Sequence, residues 1–258
     1  MRRFPVTAAR NTWCPFLTGV LLGLVLLAFV GVAVAQAPDD ARFDALLRAH
    51  VRDGNVDYAA FAQSADFRSY VADLAKPATL QGRDATLAYY INAYNALAIA
   101  GILDGLSPST VLGRVRYFSL RQWALNGESI TLYDLEHEVL RPRGEPRIHF
   151  AIVCASKSCP SLRAEAYVAS RLSQQLDAQA RGFVNDRARN RFDAAARSAE
   201  LSAIFKWFDA DFAAAAAGST QRYISRYAAD PEVAGLLAAD AFAVRFIDYD
   251  WTLNGSAP

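Results

Sequence analysis

Apolar residues along most of the chain recur three and four apart, the spacing of amphipathic helices. Phe43, Leu46, Leu47 and Val51 form one such face, with Asp39 or Asp40 placed to cap it. Residues 64–74 repeat the pattern, and the strongest helix is expected to be capped by Asp84 and to run through Leu87, Ala88, Ile91, Ala98 and Ile102, ending near Gly105. Further helices are predicted at about 170–185, 201–216, 220–228 and 231–239. Strand signals are fewer. Residues 122–130 read as a hairpin about Asn126-Gly127, a pair suited to a tight turn. Arg147 to Cys154, an apolar run with β-branched residues, predicts a buried strand, and Phe242 to Tyr249 a last one. Between them, Thr131-Leu132-Tyr133-Asp134 has capping-box form and opens a helix to about Arg141, where Pro142 and Gly144 end it. With no internal repeat and no low-complexity linker, the pattern predicts one α+β domain over residues 38–258. It should be predominantly helical with a small, mostly antiparallel sheet.

Residues 1–37 break from this pattern. Arg2, Arg3 and Arg10 precede an apolar run from Phe16 to about Val34, and Ala33-Val34-Ala35 and Ala35-Gln36-Ala37 both offer a small-residue cleavage site. This is the form of an export signal, so the mature protein is expected to be periplasmic or secreted. Membrane association is expected only through an uncleaved signal segment, since the run is long enough to span a bilayer. Cys14 lies before the run and is no lipobox cysteine. No second segment is expected to be long and apolar enough to span a membrane: the richest, Ala85 to Leu103, is interrupted by Asn92 and Asn95. The chain is 53% hydrophobic, which excludes disorder as its main state. Its formal net charge of +1 gives no reason to seek phosphate backbones, so no nucleic-acid partner is expected.

Three segments together resemble a bacterial family, domain of unknown function 547. They are Tyr90-Ile91-Asn92-Ala93-Tyr94-Asn95-Ala96-Leu97, then Asp134-Leu135-Glu136-His137 running on to Leu140-Arg141, and then Arg147 to Pro160. The likeness extends to Leu201–Phe208 and Asp250–Asn254. It implies one compact domain of exported proteins and carries no settled activity.

Candidate chemistry centres on two cysteines and three histidines. In an oxidising compartment Cys154 and Cys159 are expected to form a disulfide closing a small loop. The alternative is a thiol nucleophile, Cys159 ahead of Cys154. Cys159 precedes Pro160, and a helix starting there would lower its pKa, with Lys157 adding positive charge. A nucleophile also needs a base within reach. On a strand His149 and Cys154 would face opposite sides about 16 Å apart, so spacing argues against that dyad.

His137 shares a helical face with Asp134 and Arg141, which reads as a structural polar cluster whose helix C-terminus would favour the charged imidazole. His149 reads as a core histidine satisfied by a partner, and the only other histidine is His50. A divalent metal held by both imidazoles and Glu136 or Glu138 is the two-His-one-carboxylate alternative. No recognised ligand spacing supports it, so neither metal nor cofactor is expected. Asn92 and Asn95 must find partners inside an apolar helix, most simply neighbouring loop backbone. Asn95 is alternatively an orienter or oxyanion donor. Trp123, Trp207, Trp251 and the phenylalanines at 205, 208 and 212 read as core. No Gly-rich phosphate loop, Walker pattern or serine-hydrolase elbow is present.

Two functions stay open. One is an extracytoplasmic domain in which Asn92, Asn95, Glu136, His137, Arg141, His149 and a Cys154–Cys159 disulfide build a polar centre or a binding pocket. The other is a thiol-dependent hydrolase or transferase with a Cys nucleophile, a His base and Asn95 as orienter. Substrate and partners are not legible.

Overall fold

The structure, a computed structural model, describes residues 40–256, so the expected export signal lies outside the described residues. Helix α1 (Asp40–His50) leads into a short antiparallel pair, β1 (Val51–Arg52) and β2 (Asn55–Asp57). Helices α2 (Tyr58–Gln63) and α3 (Ala65–Leu74) follow, each opened by a side-chain cap, from Asp57 and from Ser64. The long helix α4 (Arg83–Leu103) starts one residue before the expected Asp84 cap, from Gly82 with no side-chain cap, so Asp84 lies inside its first turn; the helix is buried on nearly every side. That explains its weak amphipathic pattern: a helix surrounded by protein has no wet face to encode. Contrary to the expectation for this stretch, it is long and apolar enough to cross a membrane by length and composition, because two asparagines lower its mean hydropathy too little; here it forms the centre of the core.

Two helices after α4 change winding. Helix α5 (Val111–Arg114) continues as a π-helical turn over Val115–Leu120, and α6 (Leu132–Asp134) continues as another over Leu135–Leu140. Such turns insert one residue into the ladder and re-aim side chains, and they recur at functional sites. Between them stands the predicted hairpin, β3 (Trp123–Leu125) and β4 (Glu128–Ile130). Asn126 and Gly127 both take positive φ, 52° and 81°, as a two-residue hairpin turn requires. The Thr131/Asp134 capping box forms as the sequence predicts.

The expected strand at 147–154 is not one. Residues Pro146–Phe150 form a 3₁₀ helix, and the chain then turns irregularly through Ala151–Cys154. Pro146 suits a first helical position, and the Glu145 carboxylate accepts from the Arg147 N–H. The backbone that a neighbouring strand would have paired is instead met by one side chain. Asn95 Nδ2 donates to the Ala151 carbonyl at 3.0 Å, and its Oδ1 accepts from the Val153 N–H at 2.8 Å. An amide thus replaces a β-ladder rung, and the helical turn removes the alternation that separated His149 from Cys154.

Helices α7 (Leu172–Val184), α8 (Ala203–Trp207), α9 (Asp209–Ala214), α10 (Thr220–Ser225) and α11 (Pro231–Ala238) complete the helical part. The single helix expected over 201–216 is thus broken into two. A three-stranded sheet pairs β5 (Arg191–Asp193) antiparallel and β7 (Ala243–Ile247) parallel to β6 (Ser198–Ser202). The last strand, β8 (Gly255–Ser256), adds in parallel to β2. A Cβ at Gly255 would collide with the Val56 carbonyl, so only glycine admits this closure. The result is an α+β architecture, mostly helical with small sheets. A first core surrounds α4, and a second is largely aromatic, with Phe150, Phe183, Phe205, Phe212 and Tyr223 in mutual ring contact.

Candidate functional site

Between the two cores opens a pocket of about 290 Å³. The π-helical turns supply Val115, Phe118, Glu136 and His137, while the 146–160 segment supplies His149, Ile152, Cys154 and Cys159. Ile204 and Trp207 of α8 and Phe208 just after it close the pocket, with Tyr249 and Trp251 from the C-terminal return. That return is laced to the cysteine loop: Lys157 N–H donates to the Thr252 carbonyl, Asp250 N–H to Ser158 Oγ, and Asn254 N–H to the Ala155 carbonyl. Ala155 itself holds a left-handed φ of 60°, which a side-chain-bearing residue adopts at a cost.

The two cysteines are free, which corrects the expected disulfide. Their sulfurs lie 2.7 Å apart, beyond the ~2.05 Å of a sulfur–sulfur bond. They differ in setting. Cys159 is buried, no helix begins at it, and burial pushes its thiol up. Its sulfur accepts from the Cys154 N–H at 2.8 Å. Cys154 is only partly buried. Desolvation would raise its pKa, yet hydrogen bonding with Cys159, Tyr249 Oη (3.2 Å) and Ser156 (Oγ at 3.1 Å, and its backbone N–H) outweighs it and brings the thiol down to about 7, while Ser156 Oγ donates to Tyr249 Oη at 3.1 Å. Neither sulfur bonds an imidazole among the described residues.

The opposite wall carries the acid–base groups. His149 is fully enclosed, its ring stacked on Phe208 with centroids 3.8 Å apart. Its Nε2–H donates to Asp211 Oδ2 at 2.8 Å, which leaves Nδ1 as the free acceptor, 3.8 Å from Glu136 Oε1 and otherwise without a partner. Burial lowers the His149 pKa, so the ring is held neutral. Asp211 is held in a fork by Arg141, at 2.8 and 3.0 Å, and the His149 and Arg141 hydrogen bonds keep its carboxyl well below the usual range. Arg141 also donates to His137 Nδ1 at 2.7 Å. Burial and that guanidinium lower the His137 pKa, the reverse of the expectation drawn from its helix end. Glu136 has the opposite problem: burial first, then the Cys154 charge, raise its carboxyl to about 8.

Of the residues singled out from sequence, Cys154, Cys159, Glu136, His137 and His149 meet at this pocket, with Arg141 behind them. Asn92 and Asn95 do not line it. Asn92 donates to the Tyr167 carbonyl and accepts from its N–H, as Asn95 does for the 151–153 backbone. His50 packs edge-on against Phe61. Asp211, Tyr249 and Ser156 are site residues that no spacing announces, because each is brought in from a distant segment or a turn. Trp207 and Trp251, expected as core, stack at the pocket wall, and Trp207 is 46% exposed. Phe205 and Phe212 are core as expected, and Trp123 is buried. Among the described residues no group of three or more His, Cys, Asp or Glu could hold a metal ion.

No curated protein and no solved structure matches the chain. Residues 77–184 match a family model, a span that includes Glu136, His149 and both pocket cysteines and omits Asp211 and Tyr249. The chain thus resembles, over less than half its length, the family described as a protein of unknown function, DUF547.

Proposed function

We propose that the chain is an exported thiol-dependent enzyme acting on acyl groups, with Cys154 as nucleophile and Glu136 as proton donor. One observation carries the reading. The Cys154 sulfur stands at the wall of an apolar pocket, reachable, with the Cys159 thiol and the Tyr249 hydroxyl, itself bonded by Ser156, as donors that favour its thiolate. Near neutral pH the same site holds a thiolate and a protonated carboxyl, the pairing that nucleophilic attack and leaving-group protonation need. The activation differs from that of a cysteine–histidine dyad: hydroxyl and thiol donors replace the imidazole at sulfur.

The chemistry follows from that arrangement. The Cys154 thiolate attacks the carbonyl carbon of an ester or thioester, and the bond to the leaving oxygen or sulfur breaks as Glu136 gives it a proton. The product is an S-acyl Cys154. Water, or an acceptor hydroxyl, then attacks the thioester, returns a proton to Glu136 and releases the thiolate. His149 Nδ1 faces Glu136 and Asp211 fixes the ring tautomer, which makes Asp211 a positioning residue. Phe118, Ile152, Ile204, Trp207 and Trp251 favour an apolar acyl or aryl group. Export rests on the arginines, apolar run and small-residue sites of residues 1–37.

A second reading, a ligand pocket without turnover, is favoured by the missing thiol–imidazole bond. Incubating the full chain with a medium-chain nitrophenyl ester and mapping peptides by mass spectrometry separates the two. An acyl mass on the Cys154 peptide, with turnover lost in Cys154→Ala, is the expected result. Turnover that is absent, or equal in wild type and variant, overturns the enzyme reading.

A further inference from the structure

Beside the pocket mouth, the α5 segment and its π-helical continuation leave their aliphatic side chains uncovered. Val111 is 72% exposed, Leu112 59%, Val115 43% and Leu120 63%. Basic side chains are interleaved with them. Arg116 is exposed, Arg121 is exposed and bridges Asp104, and Arg114 lies 4.5 Å over the Trp251 ring. From Gly105 to Gly127 the chain holds these three arginines and no acidic residue.

We propose that the segment Val111–Leu120 is a docking surface for a membrane carrying anionic lipid headgroups. The apolar part of this face is limited to four aliphatic side chains, with arginines and no acid interleaved among them. The same set suffices for shallow insertion at a lipid interface when cations flank it, because headgroup attraction adds to the apolar burial. Arg116 projects from a chain of almost zero net charge, so this is a local basic feature and not part of a general one. Arg114, Val115, Phe118 and Ser119 line the pocket as well as this surface. Docking would therefore set the mouth toward the bilayer, and on the thiol reading above the substrate is an amphiphile whose acyl chain enters from that side.

Backbone hydrogen exchange on the full chain, with and without vesicles, tests the docking apart from the chemistry. Vesicles of phosphatidylglycerol should slow exchange several-fold across residues 111–121, vesicles of phosphatidylcholine should not, and Leu112→Ser/Leu120→Ser should abolish the effect. Cys154→Ser should keep it, so a catalytic failure and a docking failure are read separately. Unchanged exchange at 111–121 on anionic vesicles, or equal protection by neutral ones, overturns the proposal and leaves a protein as the occupant of this face.

Discussion

Glu136 sits where a carboxylate is costly, and that cost can be measured. Its folded-state pKa of about 8 lies above the ordinary carboxyl value, so the folded chain keeps a proton that the unfolded chain releases. Stability from this group is therefore fully present below about pH 4 and declines as pH rises toward 8. Glu136→Gln should raise the unfolding free energy at pH 8 by roughly 2–4 kcal/mol while changing little at pH 4, as thermal melts across that range would show. A variant no more stable at pH 8 than wild type would mean that Glu136 is ionised and cannot act as the acid. Cys159 offers a second residue-scale test. Its thiol donates to Cys154, so Cys159→Ala should move the Cys154 alkylation midpoint to higher pH. A midpoint unmoved by the substitution would remove Cys159 from the account.

The element that decides the site is the turn from Pro146 to Cys154. Its sequence carries the composition of a buried strand, and periodicity over eight residues cannot distinguish that from a short helix held by tertiary contacts. What settles it is Asn95, 56 and 58 positions earlier, whose amide satisfies the Ala151 carbonyl and the Val153 N–H. Asn95→Ala leaves both buried groups unpaired and should cost roughly 3–5 kcal/mol, read by denaturant unfolding. A loss below about 1 kcal/mol would show that the turn holds itself together. The same logic marks what sequence reveals and what it conceals. The Thr131/Asp134 capping box, the Asn-Gly hairpin and the course of helix α4 are local devices, and they were legible. Asp211 and Tyr249 reach the pocket from far along the chain, where nothing local distinguishes them from solvent-facing or core residues. The two asparagines could be seen to need partners, but which partners depends on the folded neighbours.

At the scale of the molecule, the C-terminal return closes the site. It pairs β8 with β2 at Gly255 and carries Tyr249 and Trp251 to the cysteine loop on the way. Gly255→Ala should therefore weaken thiol activation as well as stability, because the Val56 carbonyl must move. The proposed export would add a condition, since a thiol nucleophile outside the cytoplasm would meet oxidants. Oxidised glutathione should form a mixed disulfide at Cys154, which Cys159, 2.7 Å away, can resolve to a Cys154–Cys159 disulfide with release of glutathione; either product stops turnover, and dithiothreitol should restore it. Turnover indifferent to oxidised glutathione would exclude a thiol nucleophile. The most direct test of the central claim is the rate of iodoacetamide alkylation at each cysteine of the native chain, followed by mass spectrometry from pH 5 to pH 10. The account predicts modification of Cys154 with a midpoint near pH 7 while Cys159 stays protected. Alkylation of neither cysteine until a reductant is added, or of Cys154 only at the pH of an ordinary thiol, would contradict it.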